Sequence, residues 1–174
     1  MVPEKQGLKI PALIAGQIEE WARKAYPREG CGLLIGRFEG PWKEATGFIG
    51  LKNTLLSSNG ASLRQRVENA GGVITAARVA AGGGRTEFLM DPAEFERVSR
   101  ETGSRGLDVV GIVHTHPDHP PKPSPMDAAQ PMLAGWSNII VAVQKGSSVE
   151  AKSWVRNDDH SPFEEEPISI VKEL

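Results

Sequence analysis

The chain has 174 residues with a formal net charge of −2, and hydrophobic residues make up 39% of it. This length predicts one domain with a substantial core, and the near-neutral charge provides no basic surface of the kind that binds nucleic acid. The single cysteine, Cys31, excludes an internal disulfide framework and favours a reducing compartment. No signal peptide is evident and no apolar run approaches the ~20 residues of a membrane span, so we expect a cytoplasmic protein without a membrane segment.

The first part of the chain predicts one helix followed by two strands. Residues 10–26 carry apolar side chains at helical spacing, with Pro11 near the start and Pro27 after the end. That pattern predicts a helix that packs on the core. A short apolar run at 33–35, entered through glycines, predicts a buried strand, and the weak alternation of residues 42–50 predicts a second strand.

The middle of the chain contains a long polar and glycine-rich segment. Residues 56–85 predict a loop and two short helices that are broken and ended by glycines. Residues 86–90 then predict a strand. Asp91 and Pro92 are typical of a helix start, and this helix is expected to run to about Thr102.

The most informative stretch of the sequence spans residues 107–127. It begins with an apolar, β-branched run, which predicts a buried strand. The run ends at His114 and His116, whose side chains point to the same face because strand side chains alternate. A proline-rich loop follows, and Ser124 and Asp127 then occupy the N-cap and N3 positions of a predicted helix.

These side chains predict a metal site. Two imidazoles and one carboxylate at a strand end provide three ligands and leave room for water, which is the arrangement of catalytic zinc. We therefore expect His114, His116 and Asp127 to bind Zn²⁺. A serine at a helix start is ordinarily only a cap, so the position of Ser124 does not by itself indicate a function.

The last part of the chain predicts further strands. Residues 136–143 predict a buried strand, residues 149–156 an edge-like partner, and the apolar positions of the tail a last strand. The helix after Ser124 is expected to kink or end near Pro131. The elements together predict an α/β (α+β) domain in which helices cover a curved, mixed and mainly antiparallel sheet.

The motif around the predicted metal site resembles that of a known family. His-Thr-His-Pro at 114–117, followed by Ser124 and Asp127, is similar to the JAMM (MPN+) motif of zinc-dependent isopeptidases, H-[S/T]-H-P-x6-S-x2-D, with the spacing intact. The resemblance extends from about residue 10 to about residue 156. It implies a single JAMM/MPN-like domain over residues 8–174, with an insertion at about 56–85 and with zinc at the end of the strand that carries the histidines.

The resemblance also implies roles for other residues. The family has an upstream glutamate before a strand similar to C-G-L-L-x-G, and Glu29 occupies that place. It is implied to be the general acid/base that contacts the zinc-bound water and not the metal, while the hydroxyl of Ser124 stabilises the oxyanion. Cys31 is an alternative ligand, but the set of three is complete without it and we expect a small buried residue. His119 and His160 stand among polar and proline neighbours and are expected at the surface.

The small size of the chain and its Cys31-Gly32 context resemble bacterial and archaeal members of this family more than proteasome-lid subunits. Those relatives act on small β-grasp proteins that end in Gly-Gly, both ubiquitin-like proteins and sulfur carriers. The implied function is hydrolysis of an isopeptide or peptide bond at the C-terminus of such a protein. Two alternatives stay open: a non-catalytic scaffold of the same fold, and a general zinc metallopeptidase that acts on unfolded peptides.

The insertion at about 56–85 departs from the family pattern. Relatives pass from an asparagine comparable to Asn53 to the next strand through a short connection, and the segment at this place borders the substrate groove. The local charge of the insertion is positive. One hypothesis is a mobile flap that binds the tail of a protein substrate. A plain surface insertion, or a contact in a homodimer, is an equal alternative.

Overall fold

The computed structural model describes residues 6–53, 88, 90–129, 133–158 and 161–173. Three predictions lie outside these residues: the helices and the flap within 56–85, the helix end near Pro131, and the surface position of His160. Within the described part the elements are, in chain order, β1 (Gly7–Pro11), α1 (Ala12–Ala25), β2 (Cys31–Glu39), β3 (Trp42–Leu51), α2 (Pro92–Ser104), β4 (Asp108–Pro117), α3 (Pro125–Ala129), β5 (Ser137–Gln144), β6 (Ser148–Val155), β7 (Glu164–Glu166) and β8 (Ile168–Val171).

The strands form one mixed sheet in the order β7-β6-β5-β4-β2-β3-β1-β8. Four of the strand pairs are antiparallel and three are parallel, so the predicted mixed sheet flanked by helices is confirmed. β7 and β8 lie at opposite ends of this order although Pro167 alone separates them along the chain. The sheet therefore curls until its two edges come close together.

Apolar side chains pack on both faces of the centre of the sheet. Along β2, Leu34 packs in the cluster on the α1 side, whereas Leu33 and Ile35 pack in the cluster on the α2 side, because strand side chains alternate. β4 divides its side chains in the same way, with Val113 on the α1 side and Ile112 on the α2 side. Burial on both faces explains the continuous apolar runs of these strands.

Two sequence predictions differ from the structure. The helix predicted from residue 10 begins at Ala12, because Ile10 belongs to β1 and is paired with Ile170 of β8, a partner far away in sequence. Phe88 and Met90 of the strand predicted at 86–90 are buried, yet neither lies in a strand, and the other residues of that prediction are outside the described part. No helix among the described ranges has the length and apolar character that a bilayer crossing requires.

Candidate metal centre

The central strand β4 carries both histidines on one face. Its register places His114 beside Cys31 of β2 and Ile140 of β5, and His116 beside Ala142. Both imidazoles are buried, and their Nε2 atoms lie 3.1 Å apart. The pairing of β4 with its neighbouring strands therefore holds the backbone of both histidines so that their Nε2 atoms lie side by side.

The short helix α3 brings the carboxylate of Asp127 to this point. The Asp127 N–H donates to Ser124 Oγ at 3.1 Å, and the Ser124 N–H donates to Asp127 Oδ2 at 2.7 Å. This reciprocal pair has the form of a capping box and fixes the first turn of α3. Asp127 Oδ1 lies 3.2 Å from His114 Nε2, and Oδ2 lies 3.3 Å from His116 Nε2. The three residues predicted as ligands are thus brought together.

The spacing of these atoms fits an ion of the size of zinc. Zinc binds nitrogen and oxygen ligands at about 2.0–2.1 Å with tetrahedral geometry, which separates neighbouring ligand atoms by roughly 3.3 Å. The observed separations are 3.1 Å between the two Nε2 atoms, and 3.2 and 3.3 Å from these atoms to Asp127 Oδ1 and Oδ2, respectively. His116 Nδ1 lies 3.0 Å from the carbonyl oxygen of Pro120. Because that oxygen can only accept, Nδ1 donates to it, and Nε2 is the nitrogen that would bind a metal in place of its contact with Asp127.

Glu29 lies beside the histidines, just before β2. It is 5% exposed, and ligand atoms of Glu29, His114 and His116 all lie within 4.8 Å of one another. This set overlaps with the one that contains Asp127 and shares both histidines with it. The geometry alone therefore places two carboxylates near the imidazole pair, Asp127 from within the sequence motif and Glu29 from upstream of it.

The backbone next to Glu29 is held by two side chains. The Gly30 N–H donates to Thr115 Oγ1 at 2.8 Å, and the Thr115 N–H donates back to the Gly30 carbonyl at 3.0 Å. Asn53 Nδ2 donates to the carbonyl of Glu29 at 2.9 Å. A Cβ at Gly30 would lie 2.8 Å from the ring of Trp21, so this close approach to α1 requires glycine.

The electrostatic environment favours a charged aspartate. Burial raises the pKa of Asp127, but the neighbouring His114 and hydrogen bonds from His114, His116 and the Ser124 N–H outweigh this effect. The pKa of Asp127 is therefore held well below its usual range. A carboxylate that is ionised at neutral pH is a suitable ligand for a divalent cation.

Cys31 has the opposite environment. Its side chain is fully buried, and burial, reinforced by the charges of Glu94 and Glu29, raises the pKa of the thiol far above its usual value. The Sγ atom lies 3.9 Å from the Lys52 carbonyl. A thiol that stays protonated is a poor ligand, so the prediction of a small buried residue is confirmed.

Comparison with known proteins decides the family. A model of the prokaryotic homologues of the JAB domain matches residues 11–157. The chain belongs to this family. The match of this JAB domain begins just before α1 and ends just after β6, so it contains all the residues described above around the two histidines.

One curated relative carries a functional name. The desampylase of Pyrococcus furiosus is 34% identical over 88 residues, which are 50% of this chain and 57% of that protein. The similarity therefore spans a little more than half of the length of the relative.

Solved structures share the fold of this JAB domain. A solution structure from Desulfitobacterium hafniense has a TM-score of 0.71 at 23% identity and covers 96% of this chain and 94% of its own. A second, from Salinibacter ruber, has a TM-score of 0.63 at 26% identity and covers 94% and 91%. A JAB1/MPN domain protein from Archaeoglobus fulgidus has a TM-score of 0.50 at 20% identity and covers 97% and 99%.

Several side chains around the centre were missed by sequence reasoning. Phe88 packs against His114, with ring centroids 5.1 Å apart and planes at 30°. Thr115 is inside the motif, and its alternation with the histidines could have indicated a role on the opposite face. Asn53 resembles an asparagine of the family, but this resemblance does not by itself predict a role. His119, predicted at the surface, is exposed, and this is confirmed.

Proposed function

We propose that this JAB domain is a zinc-dependent hydrolase that cleaves an isopeptide or peptide bond at the C-terminus of a ubiquitin-like or sulfur-carrier-like β-grasp protein. The convergence of His114, His116 and Asp127 at separations of 3.1–3.3 Å, beside the buried Glu29, carries the proposal. A relative named desampylase supports an enzyme that acts on a ubiquitin-like modifier. The spacing of the ligand atoms supports zinc as the ion.

In this proposal His114, His116 and Asp127 hold the ion. Bound zinc supplies a Lewis acid that polarises a water molecule and the scissile carbonyl. As ligands the two imidazoles would be neutral, and Asp127 would contribute one negative charge. A zinc ion held by these three side chains would therefore keep part of its positive charge and would favour loss of a proton from water near neutral pH.

Glu29 is the proposed general base and acid. Its carboxylate takes the proton from the attacking water and returns it to the leaving amine. Its low exposure keeps bulk water away from the transferred proton, and the hydrogen bonds around Gly30 and Asn53 hold its backbone in place. We assign Glu29 this role, and not that of a ligand, because Asp127 completes a set of three ligands with the two histidines.

Ser124 is the proposed oxyanion donor. Its oxygen accepts from the Asp127 N–H, so the hydroxyl proton is still available to donate to the carbonyl oxygen as charge develops there. A donor of this kind contributes about 2.7–4 kcal/mol to the stability of the transition state in other enzymes. The same residue thus shapes the helix start and, in this proposal, donates to the reacting carbonyl.

The proposal is tested by measuring zinc content and hydrolysis on the same variants. The substrate is a β-grasp protein ending in Gly-Gly and joined to a lysine-containing peptide, with a random peptide pool for comparison. We expect the natural protein to bind zinc and to cleave the β-grasp substrate in preference to the pool. Glu29→Gln should keep zinc and lose about 10²–10⁴-fold in rate, whereas His116→Ala should lose both zinc and activity.

The matched control is Glu165→Gln, because Glu165 is an exposed glutamate paired with Lys152 and far along the chain from the centre. Hydrolysis by Glu29→Gln at the natural rate would contradict the assignment of the base. Loss of zinc in Glu29→Gln, together with zinc retention in Asp127→Asn, would exchange the roles of the two carboxylates. Absence of zinc binding and of cleavage in the natural protein would favour a scaffold.

A further inference from the structure

The segment that joins the two histidines to Asp127 is not held in place by its own contacts alone. Residues 118–129 run from the end of the histidine strand through Asp127 to the end of α3, which has five residues. A helix of that length is unstable without external contacts. The capping pair of Ser124 and Asp127 shapes the segment but is internal to it. The position of the carboxylate relative to the imidazoles must therefore depend on contacts with the sheet.

Two side chains at the end of β6 make such contacts. Trp154 Nε1 donates to the carbonyl of Pro121 at 3.0 Å, and Arg156 Nη2 donates to the carbonyl of Ala128 at 2.6 Å. Trp154 lies in β6 and Arg156 follows the last residue of that strand, and both side chains reach the segment that carries Asp127. One bond holds the segment before Ser124, and the other holds it immediately after Asp127.

The side chain of Arg156 is built into its place. Arg156 is 5% exposed, and its guanidinium lies 4.1 Å from the ring centroid of Phe163. A buried guanidinium requires hydrogen-bond acceptors, and a bond from a charged donor is roughly twice as strong as a neutral one. The indole N–H of a half-buried tryptophan likewise takes a partner. Both contacts are therefore costly to break.

The sheet transmits these contacts to the histidines. Trp154 is paired with Asn138 of β5, and Asn138 is paired with Ile112 of β4, two residues before His114. The strand residue Trp154 and the histidine strand are thus joined in one hydrogen-bonded ladder of three strands, and Arg156 follows its far strand directly. The separation between Asp127 and the imidazoles depends on that ladder and on the two bonds from Trp154 and Arg156.

We propose that Trp154 and Arg156 are positioning residues that set the distance from Asp127 and Ser124 to the histidine pair. Neither touches the reacting atoms. This inference rests on the metal site of the proposed function. It assigns to the end of β6 a control over zinc affinity and over turnover that the sequence motif does not contain.

The test measures the zinc dissociation constant by competition with a chelator, together with kcat, KM and the melting temperature. Trp154→Phe keeps the ring and removes the N–H, and Arg156→Ala removes the guanidinium. Loss of a group that orients a ligand typically weakens metal binding by about 10–100-fold. We expect a loss in this range for Arg156→Ala, a smaller loss for Trp154→Phe, a fall in kcat larger than the change in KM, and partial recovery in Arg156→Lys.

The control for a general loss of stability is Ile18→Ala, because Ile18 is buried on α1 and packs in the cluster on that side of the sheet. This variant should lower the melting temperature and leave zinc affinity unchanged. Natural zinc affinity and kcat in both β6 variants would overturn the positioning role and leave the proposed function intact. An equal loss of affinity in Ile18→Ala would also overturn it. A natural protein that binds no zinc would refute the proposed function itself.

Discussion

Thr115 and Gly30 are joined by a pair of hydrogen bonds, one from the Gly30 N–H to the threonine hydroxyl and one from the Thr115 N–H to the glycine carbonyl, at 2.8 and 3.0 Å. Thr115 lies between the two histidines, so its side chain points to the other face of β4. One strand thus presents the ligands on one face and holds the backbone next to Glu29 from the other.

Replacing Thr115 by valine tests this arrangement. Thr115→Val keeps the shape but leaves the buried Gly30 N–H without its acceptor, which costs about 1–3 kcal/mol. We expect lower stability in urea and a lower kcat at unchanged zinc content, because Glu29 moves and the ligands do not. Thr115→Ser, which retains the hydroxyl, should behave like the natural protein. A Thr115→Val enzyme with natural kcat would show that Glu29 is positioned by other contacts.

Ser124→Ala should affect both folding and turnover. The change removes the acceptor for the Asp127 N–H, and the loss of such a cap costs about 0.5–2 kcal/mol. It also removes the proposed oxyanion donor, for which we expect a decrease in kcat of about 10²–10³-fold. Ser124→Thr retains the hydroxyl and is the matched control. If kcat falls by less than about tenfold in Ser124→Ala, the cap is its main role.

The buried ion pair of Lys43 and Glu166 should contribute to stability. Lys43 Nζ lies 2.6 Å from Glu166 Oε1, and the hydroxyls of Ser137 and Ser153 donate to Glu166 Oε2 at 2.7 Å each. Glu166→Ala leaves the Lys43 ammonium buried without its carboxylate, so we expect a loss of about 3–5 kcal/mol in urea denaturation.

The adjacent residue, Glu165, provides a control for the stability effect of Glu166→Ala. Glu165 forms an exposed pair with Lys152, and Glu165→Ala should change stability by less than about 1 kcal/mol. Similar effects of the two substitutions would mean that water reaches the Lys43 site in solution.

The thiol of Cys31 predicts a dependence on pH. Burial, with the charges of Glu94 and Glu29, raises the pKa of Cys31 in the folded state, whereas an exposed thiol has a pKa of about 8.5. The neutral thiol therefore stabilises the fold fully below that value, and this contribution is lost as the pH rises above it. Stability should fall above about pH 9 less steeply in Cys31→Ala, and iodoacetamide should label the folded natural protein slowly and the unfolded protein rapidly. Rapid labelling of the folded protein would contradict the burial.

Local signals explain what the sequence could predict. Asp91 accepts from the Ala93 N–H at 2.9 Å, and α2 begins at Pro92 as the capping pattern indicates. His114, His116 and Asp127 could be predicted as one site because strand alternation and a helix start each act over a few residues.

Contacts between distant parts of the chain explain what it could not predict. β1 is a short strand that pairs with the distant strands β3 and β8, through Leu8 with Lys43 and with Ile168 among other pairs. The donors Trp154 and Arg156 meet acceptors 33 and 28 positions away. No periodicity or composition encodes such partners, because the pairing depends on the curl of the whole sheet.

Because the sheet curls, β7 and β8 connect its two edges. Glu166 is paired with Ser153 at one border of the sheet, and the carbonyl of the very next residue, Pro167, accepts from the Leu8 N–H at the other. Release of this stretch would remove both edge strands of the sheet at once. β1 and β6 would then expose unpaired backbone groups that can pair with strands of other molecules, a known route to aggregation. Amide protons at Leu8 and Ser153 should consequently exchange with solvent in a single concerted event, because release of one stretch exposes both edges.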